Sequence, residues 1–159
     1  GAAMAYLRDK KLDVWLKQCF LSRKPILGIC LGTQIILDRS EENDTTCIGL
    51  VGGTTRRFPE SLTADGRALK IPHMGWNSVA FRRSHPVFAG VPKNAEFYFV
   101  HSYYPSPADP SAVLGTTDYG MTFCSILTMR NLVAVQFHPE KSGRPGLQLL
   151  KNFCAWEGK

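Results

Sequence analysis

Cys30 lies in the run P-I-L-G-I-C-L-G-T-Q-I-I-L-D from Pro25 to Asp38, with Gly28 and Gly32 two residues to either side. A nucleophile on a sharp strand-to-helix turn crowds the backbone at both those positions, so small residues are wanted there. The chemistry offered is thiolate attack on an electrophilic carbon, and a helix N-terminus favours the thiolate over a free thiol of pKa ~8.5. The competing reading is a buried structural cysteine beside two unrelated glycines. Far downstream, the run L-V-A-V-Q-F from Leu132 to Phe137 ends in His138-Pro139-Glu140. A cysteine nucleophile needs a base to carry its proton, and that imidazole needs an acceptor to fix its tautomer. Cys30, His138 and Glu140 can supply all three parts. Taken singly, His138 also reads as a strand-end histidine bonded to backbone, and Glu140 as a solvated carboxylate.

The elements that must bring these groups together can be read from periodicity. Ile26 to Cys30 is short and nearly all apolar, which suits a strand buried on both faces, and Thr33 to about Arg39 follows as a helix. Gly1 to Leu21 predicts a helix before it, with Leu12, Trp15, Leu16 and Cys19 as its core-facing stripe. Helix, buried strand and helix make the rhythm of a parallel α/β sheet with right-handed crossovers. In such a sheet the first helix should follow a strand, so the expectation is a single domain over 1–159 whose first strands are missing. Cys47 to Val51, Thr54 to Phe58, Leu69 to Ile71, Asn77 to Phe81, Glu96 to Tyr103, Ala112 to Thr117, Thr122 to Met129 and Leu132 to Phe137 read as strands. Asp118-Tyr119-Gly120 and Arg130-Asn131 read as hairpin turns between some of them, and Gly143 to Trp156 closes the chain as an amphipathic helix. Side chains at the carboxyl ends of buried strands meet at one edge of an open sheet, which is where Cys30, His138 and Glu140 would converge.

With 159 residues, 44% of them hydrophobic, the chain can fill one core but not two of normal size. No stretch approaches the ~20 apolar residues of a membrane span. The five cysteines, Cys19, Cys30, Cys47, Cys124 and Cys154, are scattered without disulfide or zinc spacing, so the four besides Cys30 read as reduced core residues. A cytoplasmic protein without membrane attachment is expected. The net charge of +6 is spread over single basic residues and doublets such as Arg56-Arg57 and Arg82-Arg83, with no interleaved aromatics, which speaks against nucleic acid. No histidine or carboxylate cluster has metal spacing, so neither a metal nor another cofactor is expected.

G-I-C-L-G-T-Q followed far downstream by Q-F-H-P-E-K-S-G resembles the class I, triad-type glutamine amidotransferases. Within them, P-H-M-G-W-N at Pro72 to Asn77 and Y-F-V-H-S-Y-Y at Tyr98 to Tyr104 resemble the glutaminase component of imidazole glycerol phosphate synthases. The resemblance runs from the first helix to Phe153. It implies a flavodoxin-like mixed α/β sheet flanked by helices, and a Cys30–His138–Glu140 triad that hydrolyses the L-glutamine side-chain amide through a γ-glutamyl thioester. The Leu31 N–H would serve the oxyanion, and Gly32, Gln34, Ser102 and Tyr103 would bind substrate. Ammonia would pass to a (β/α)₈-barrel cyclase partner, with His73, Met74, Trp76 and Asn77 at the face that meets it. Family members also carry an N-terminal P-G-V-G segment that supplies a second oxyanion donor. This sequence lacks it, and losing such a donor typically costs ~10²- to 10³-fold in rate. A γ-glutamyl hydrolase, the glutaminase of another synthase, and an inactive fragment or binding subunit are the alternatives.

Overall fold

A computed structural model describes residues 1–159. Nine strands and four helices carry the architecture: α1 (Ala2–Asp9), α2 (Leu12–Leu21), β1 (Ile26–Ile29), α3 (Leu31–Ile35), β2 (Gly53–Arg57), β3 (His73–Ser78), β4 (Ala80–Phe81), β5 (Glu96–His101), β6 (Tyr103–Pro107), β7 (Val113–Asp118), β8 (Thr122–Met129), β9 (Leu132–Val135) and α4 (Gly143–Ala155). The main sheet runs β1-β9-β8-β7-β4. Only the β1–β9 pair is parallel, with Ile29 beside Val135, and the rest is antiparallel. β2 and β6 pair in a second sheet with two short strands, and β3 pairs with β5 as a separate two-stranded ribbon.

The period-2 alternation of the strands splits the core into two layers. On β9, Val133 and Val135 pack with Phe97, Phe99, Phe137 and Leu149 of the ribbon and α4. Leu132 and Ala134 face the other way, against Met4, Phe20, Ile36 and Leu37 beside the first three helices. Helices therefore cover both faces of a mixed sheet, the α/β arrangement expected from the sequence.

Several elements differ from the sequence reading. The first helix is two, separated at Lys11, whose φ of 55° is left-handed. This break rotates Leu12 and Trp15 into solvent and leaves Cys19 as the buried member of the expected stripe. Within residues 1–159, β1 pairs with β9 alone, and Ile26, Leu27 and Ile29 are half buried. The helix after Cys30 is one turn long. Cys47 to Val51 does not form a strand; its N–H groups bond the carbonyls of Ile35, Ile36 and Leu37 and so satisfy the end of that short helix. Leu69 to Ile71 has no regular structure, and the strand expected at Asn77 begins instead at His73. Cys154 is exposed, whereas Cys19, Cys47 and Cys124 are buried thiols.

One contact between α4 and the loop after β9 fixes the rear of the candidate site. A Cβ on Gly146 would stand 1.9 Å from the Pro139 carbonyl oxygen and 2.8 Å from its carbon, both backbone atoms that cannot step aside cheaply. Gly146→Ala is therefore expected to cost about 2 to 3 kcal/mol and to displace the His138–Glu140 turn. Urea denaturation combined with an activity assay measures both effects.

Candidate active site

β1 and β9 are parallel neighbours, so the residues that follow them leave the sheet at the same edge. Cys30 comes directly after β1, and its N–H bonds the Val135 carbonyl at 2.9 Å. Its φ of 48° and ψ of −102° fall outside every basin that an L-residue occupies comfortably. Thr33 holds the turn, its hydroxyl donating to the carbonyls of Val135 at 2.5 Å and Gly28 at 3.3 Å. Gly28 is required for packing, because a Cβ there would meet the Ala134 side chain at 3.0 Å and the Gly32 backbone at 3.2 Å. Gly32 is not, since a Cβ there would meet nothing within 4 Å. The crowding argument thus holds on one side of the turn only.

His138 and Glu140 follow β9. The His138 N–H donates to the Tyr98 carbonyl at 2.8 Å, and Ser142 clamps the turn by accepting the Tyr98 N–H at 2.9 Å and donating to the His138 carbonyl at 2.5 Å. His138 Nδ1 and Glu140 Oε1 stand 2.6 Å apart. A carboxylate accepts, so Nδ1 carries the hydrogen and Nε2 keeps a lone pair able to take a proton. β5 ties the two halves together. Tyr98 holds His138, and the Val100 carbonyl, two residues further along that strand, lies 3.9 Å from Cys30 Sγ.

Burial pushes the Cys30 thiol above its ordinary 9.0, opposed by the Leu31 N–H, with Glu140 raising it further and Lys141 and Gln136 lowering it. This overturns the expectation that the turn itself makes a thiolate. A helix of one turn has little dipole, and desolvation wins. The thiol therefore depends on a neighbouring base. The Leu31 N–H is aimed at the sulfur.

A cavity of about 340 Å³ adjoins the sulfur and is lined by Cys30, Leu31, Gln34, Ser102 and Tyr103 among others. Most residues expected to bind substrate are thus gathered there. The Ser102 carbonyl already accepts the Phe58 N–H at 3.0 Å, and the Tyr103 carbonyl accepts from Gln34 Nε2 at 3.1 Å and His101 Nδ1 at 2.7 Å. A larger cavity of about 630 Å³, lined by Arg82, Arg83, Ser84, His85 and Lys93 among others, lies beside the opposite edge strand and has no cysteine in its lining.

The four residues expected at a partner face divide by strand alternation. Met74 and Trp76 are 61% and 54% exposed. His73 is buried and faces inward with Asn77, which bonds it, so neither belongs to an outer face. The sequence reading also missed Gln136, fully buried with Nε2 3.7 Å from Cys30 Sγ and Oε1 accepting from Gln34 at 3.2 Å. A polar residue ending an otherwise apolar strand was the available signal.

Burial holds His73 down at about 4 and His101 at about 3, the Tyr103 carbonyl opposing the shift on His101 while His73 and His138 add to it. In the unfolded chain both rings titrate near ~6.5, so below that pH the unfolded state binds the extra protons and stability falls. Between pH 7.5 and 5.5 the loss from the pair is expected to be about 3 kcal/mol. Urea denaturation across that range measures it, and His101→Phe should halve the slope.

A half-buried thiol at a strained strand-to-helix turn, with a histidine–carboxylate pair following the adjacent parallel strand, is the arrangement that a cysteine amidotransferase site calls for. The profile of the glutamine amidotransferase class-I family matches residues 9–156, and the chain belongs to that family. Solved relatives share the fold at low identity. A glutamine amidotransferase crystal structure superposes with a TM-score of 0.62 at 14% identity, over 93% of this chain and 71% of that one. A Thermotoga maritima glutamine amidotransferase gives 0.60 at 16%, over 92% and 54%. Much nearer in sequence are proteins named imidazole glycerol phosphate synthase subunit HisH. That of Methylococcus capsulatus is 52% identical, covering 97% of this chain and 72% of its own length. That of Nitratidesulfovibrio vulgaris is 52% identical, covering 98% and 74%.

Proposed function

We infer that this chain is the glutaminase subunit of imidazole glycerol phosphate synthase, hydrolysing the side-chain amide of L-glutamine for histidine biosynthesis. The observation that supports the mechanism is that Cys30 follows β1 while the hydrogen-bonded His138–Glu140 pair follows β9, the parallel neighbour of β1. His138 Nε2 takes the thiol proton as Cys30 Sγ bonds to the amide carbon. The Leu31 N–H stabilises the resulting oxyanion. The C–N bond then breaks, His138 returns the proton to nitrogen, and ammonia leaves a γ-glutamyl thioester. Water attacks that thioester, giving its proton to the same imidazole, and glutamate departs as the proton returns to sulfur. Glu140 keeps the imidazole in the useful tautomer and stabilises its charged form.

Ammonia protonated in bulk water would be lost as a nucleophile, so the product goes directly to a cyclase partner of (β/α)₈-barrel form. Met74 and Trp76, side by side on the outer face of the β3–β5 ribbon with Tyr98 and Val100 opposite them in register, are the face that partner covers.

The full-length subunit with its cyclase should release glutamate from glutamine, and a chloroketone analogue of glutamine should label Cys30 alone, read by peptide mass. Glutamate release that survives Cys30→Ala would overturn the assignment.

A further inference from the structure

The β3–β5 ribbon has an interior as well as an exterior. Its inner face carries His73 and His101, paired across the strands and 2% and 5% exposed. The proton positions between them follow from geometry. A carbonyl only accepts, so His101 Nδ1, 2.7 Å from the Tyr103 oxygen, carries a hydrogen. Its Nε2 is then bare, and the His73 Nδ1 facing it at 2.9 Å must donate. His73 Nε2 is bare in turn and accepts from Asn77 Nδ2 at 3.3 Å. The Asn77 amide is fixed independently, because its Oδ1 accepts the Ser78 N–H at 2.8 Å and its Nδ2 also donates to the Asp118 carbonyl at 2.9 Å. Both ends therefore require the same direction.

The rings cannot swing away from this chain. His73 lies 4.1 Å from Tyr119 and 4.8 Å from Phe99, centre to centre, and His101 lies 5.3 Å from both Phe58 and Phe123. The chain also does not stop at Tyr103. The same carbonyl accepts from Gln34, whose Nε2 also bonds Gln136, whose own Nε2 reaches the Cys30 sulfur.

Resting on the function proposed above, we propose that His73 and His101 are positioning residues for glutamine. Their one-way hydrogen-bond chain fixes the Ser102–Tyr103 wall of the cleft, and through it the Gln34 and Gln136 amides around the nucleophile. An apolar pair would fill the same space but leave the Tyr103 carbonyl held by Gln34 alone among side chains. The chain is anchored on the strand whose outer side chains are Met74 and Trp76, so the cleft wall and the partner face share one backbone.

His101→Phe keeps the ring and its packing while removing both nitrogens, and His101→Asn keeps a donor near the position of Nδ1. In the full synthase complex, His101→Phe should raise KM for glutamine about 10-fold with kcat changed by less than about threefold. His101→Asn should recover most of that loss. A KM unchanged in His101→Phe, or equal impairment of the two variants in step with lost stability, would overturn the proposal. Nitrogen NMR of the unsubstituted subunit decides without variants. Both rings should be Nδ1–H tautomers, with a scalar coupling across the hydrogen bond between them, and an Nε2–H tautomer at either ring would equally overturn it. If the unsubstituted complex fails to hydrolyse glutamine, the functional reading falls and the NMR result still judges the chain.

Discussion

Cys30→Ala is expected to lower glutamine hydrolysis by the full-length complex at least ~10⁴-fold, because it removes the only atom that can form the thioester. The same position predicts a less obvious result. At φ 48° and ψ −102°, Cys30 holds a conformation that costs an L-residue of order 1 to 3 kcal/mol, and alanine inherits that cost. Cys30→Gly escapes it, less the ~0.5 to 1 kcal/mol that glycine loses in chain entropy. Cys30→Gly should therefore be equally inactive yet about 1 kcal/mol more stable than Cys30→Ala. Equilibrium denaturation of the two variants compares them, and equal stability would mean that the turn stores no strain.

His138→Asn is expected to reduce hydrolysis by about 10³- to 10⁴-fold. The reason lies in the thiol, which burial pushes above 9.0 so that little thiolate exists at neutral pH without a base. In that variant the alkylation of Cys30 by iodoacetamide should keep climbing as pH passes 9, tracking the thiol's own ionisation. A rate that levels off near pH 7 would assign proton removal to another group. Glu140→Gln should cost less, about 10²-fold, because the Glu140 side chain is 47% exposed and water can take over part of its hydrogen bonding.

The positions of the candidate residues were legible in the sequence where spacing alone dictates geometry. Cys30 two residues past Gly28, and His138 just past an apolar strand, required no knowledge of the remaining chain. The orientation of P-H-M-G-W-N was not legible. Alternation places either His73 and Asn77 or Met74 and Trp76 inside, and ordinary patterning puts the apolar pair inward. Here the polar pair turns inward, His73 buried and Asn77 half-buried, because remote segments supply partners at His101 and Asp118. The break at Lys11 was equally hidden, since neither glycine nor proline marks it. Cys47 to Val51 misled for a different reason: a short apolar run looks like a strand whether it pairs in a sheet or closes the end of a helix. The raised thiol pKa depends on burial, which no local motif encodes.

The β3–β5 ribbon keeps its exposed row, Met74 and Trp76, and its buried row, His73 and His101, on opposite sides of one backbone. Substitutions at 74 and 76 alter what is displayed outward, while 73 and 101 remain untouched on the reverse. On the function proposed above, such a ribbon would let the docking row change while the cleft behind it stays as it is. An engineer could likewise regraft the outer row to recruit a different ammonia acceptor without redesigning the catalytic pocket.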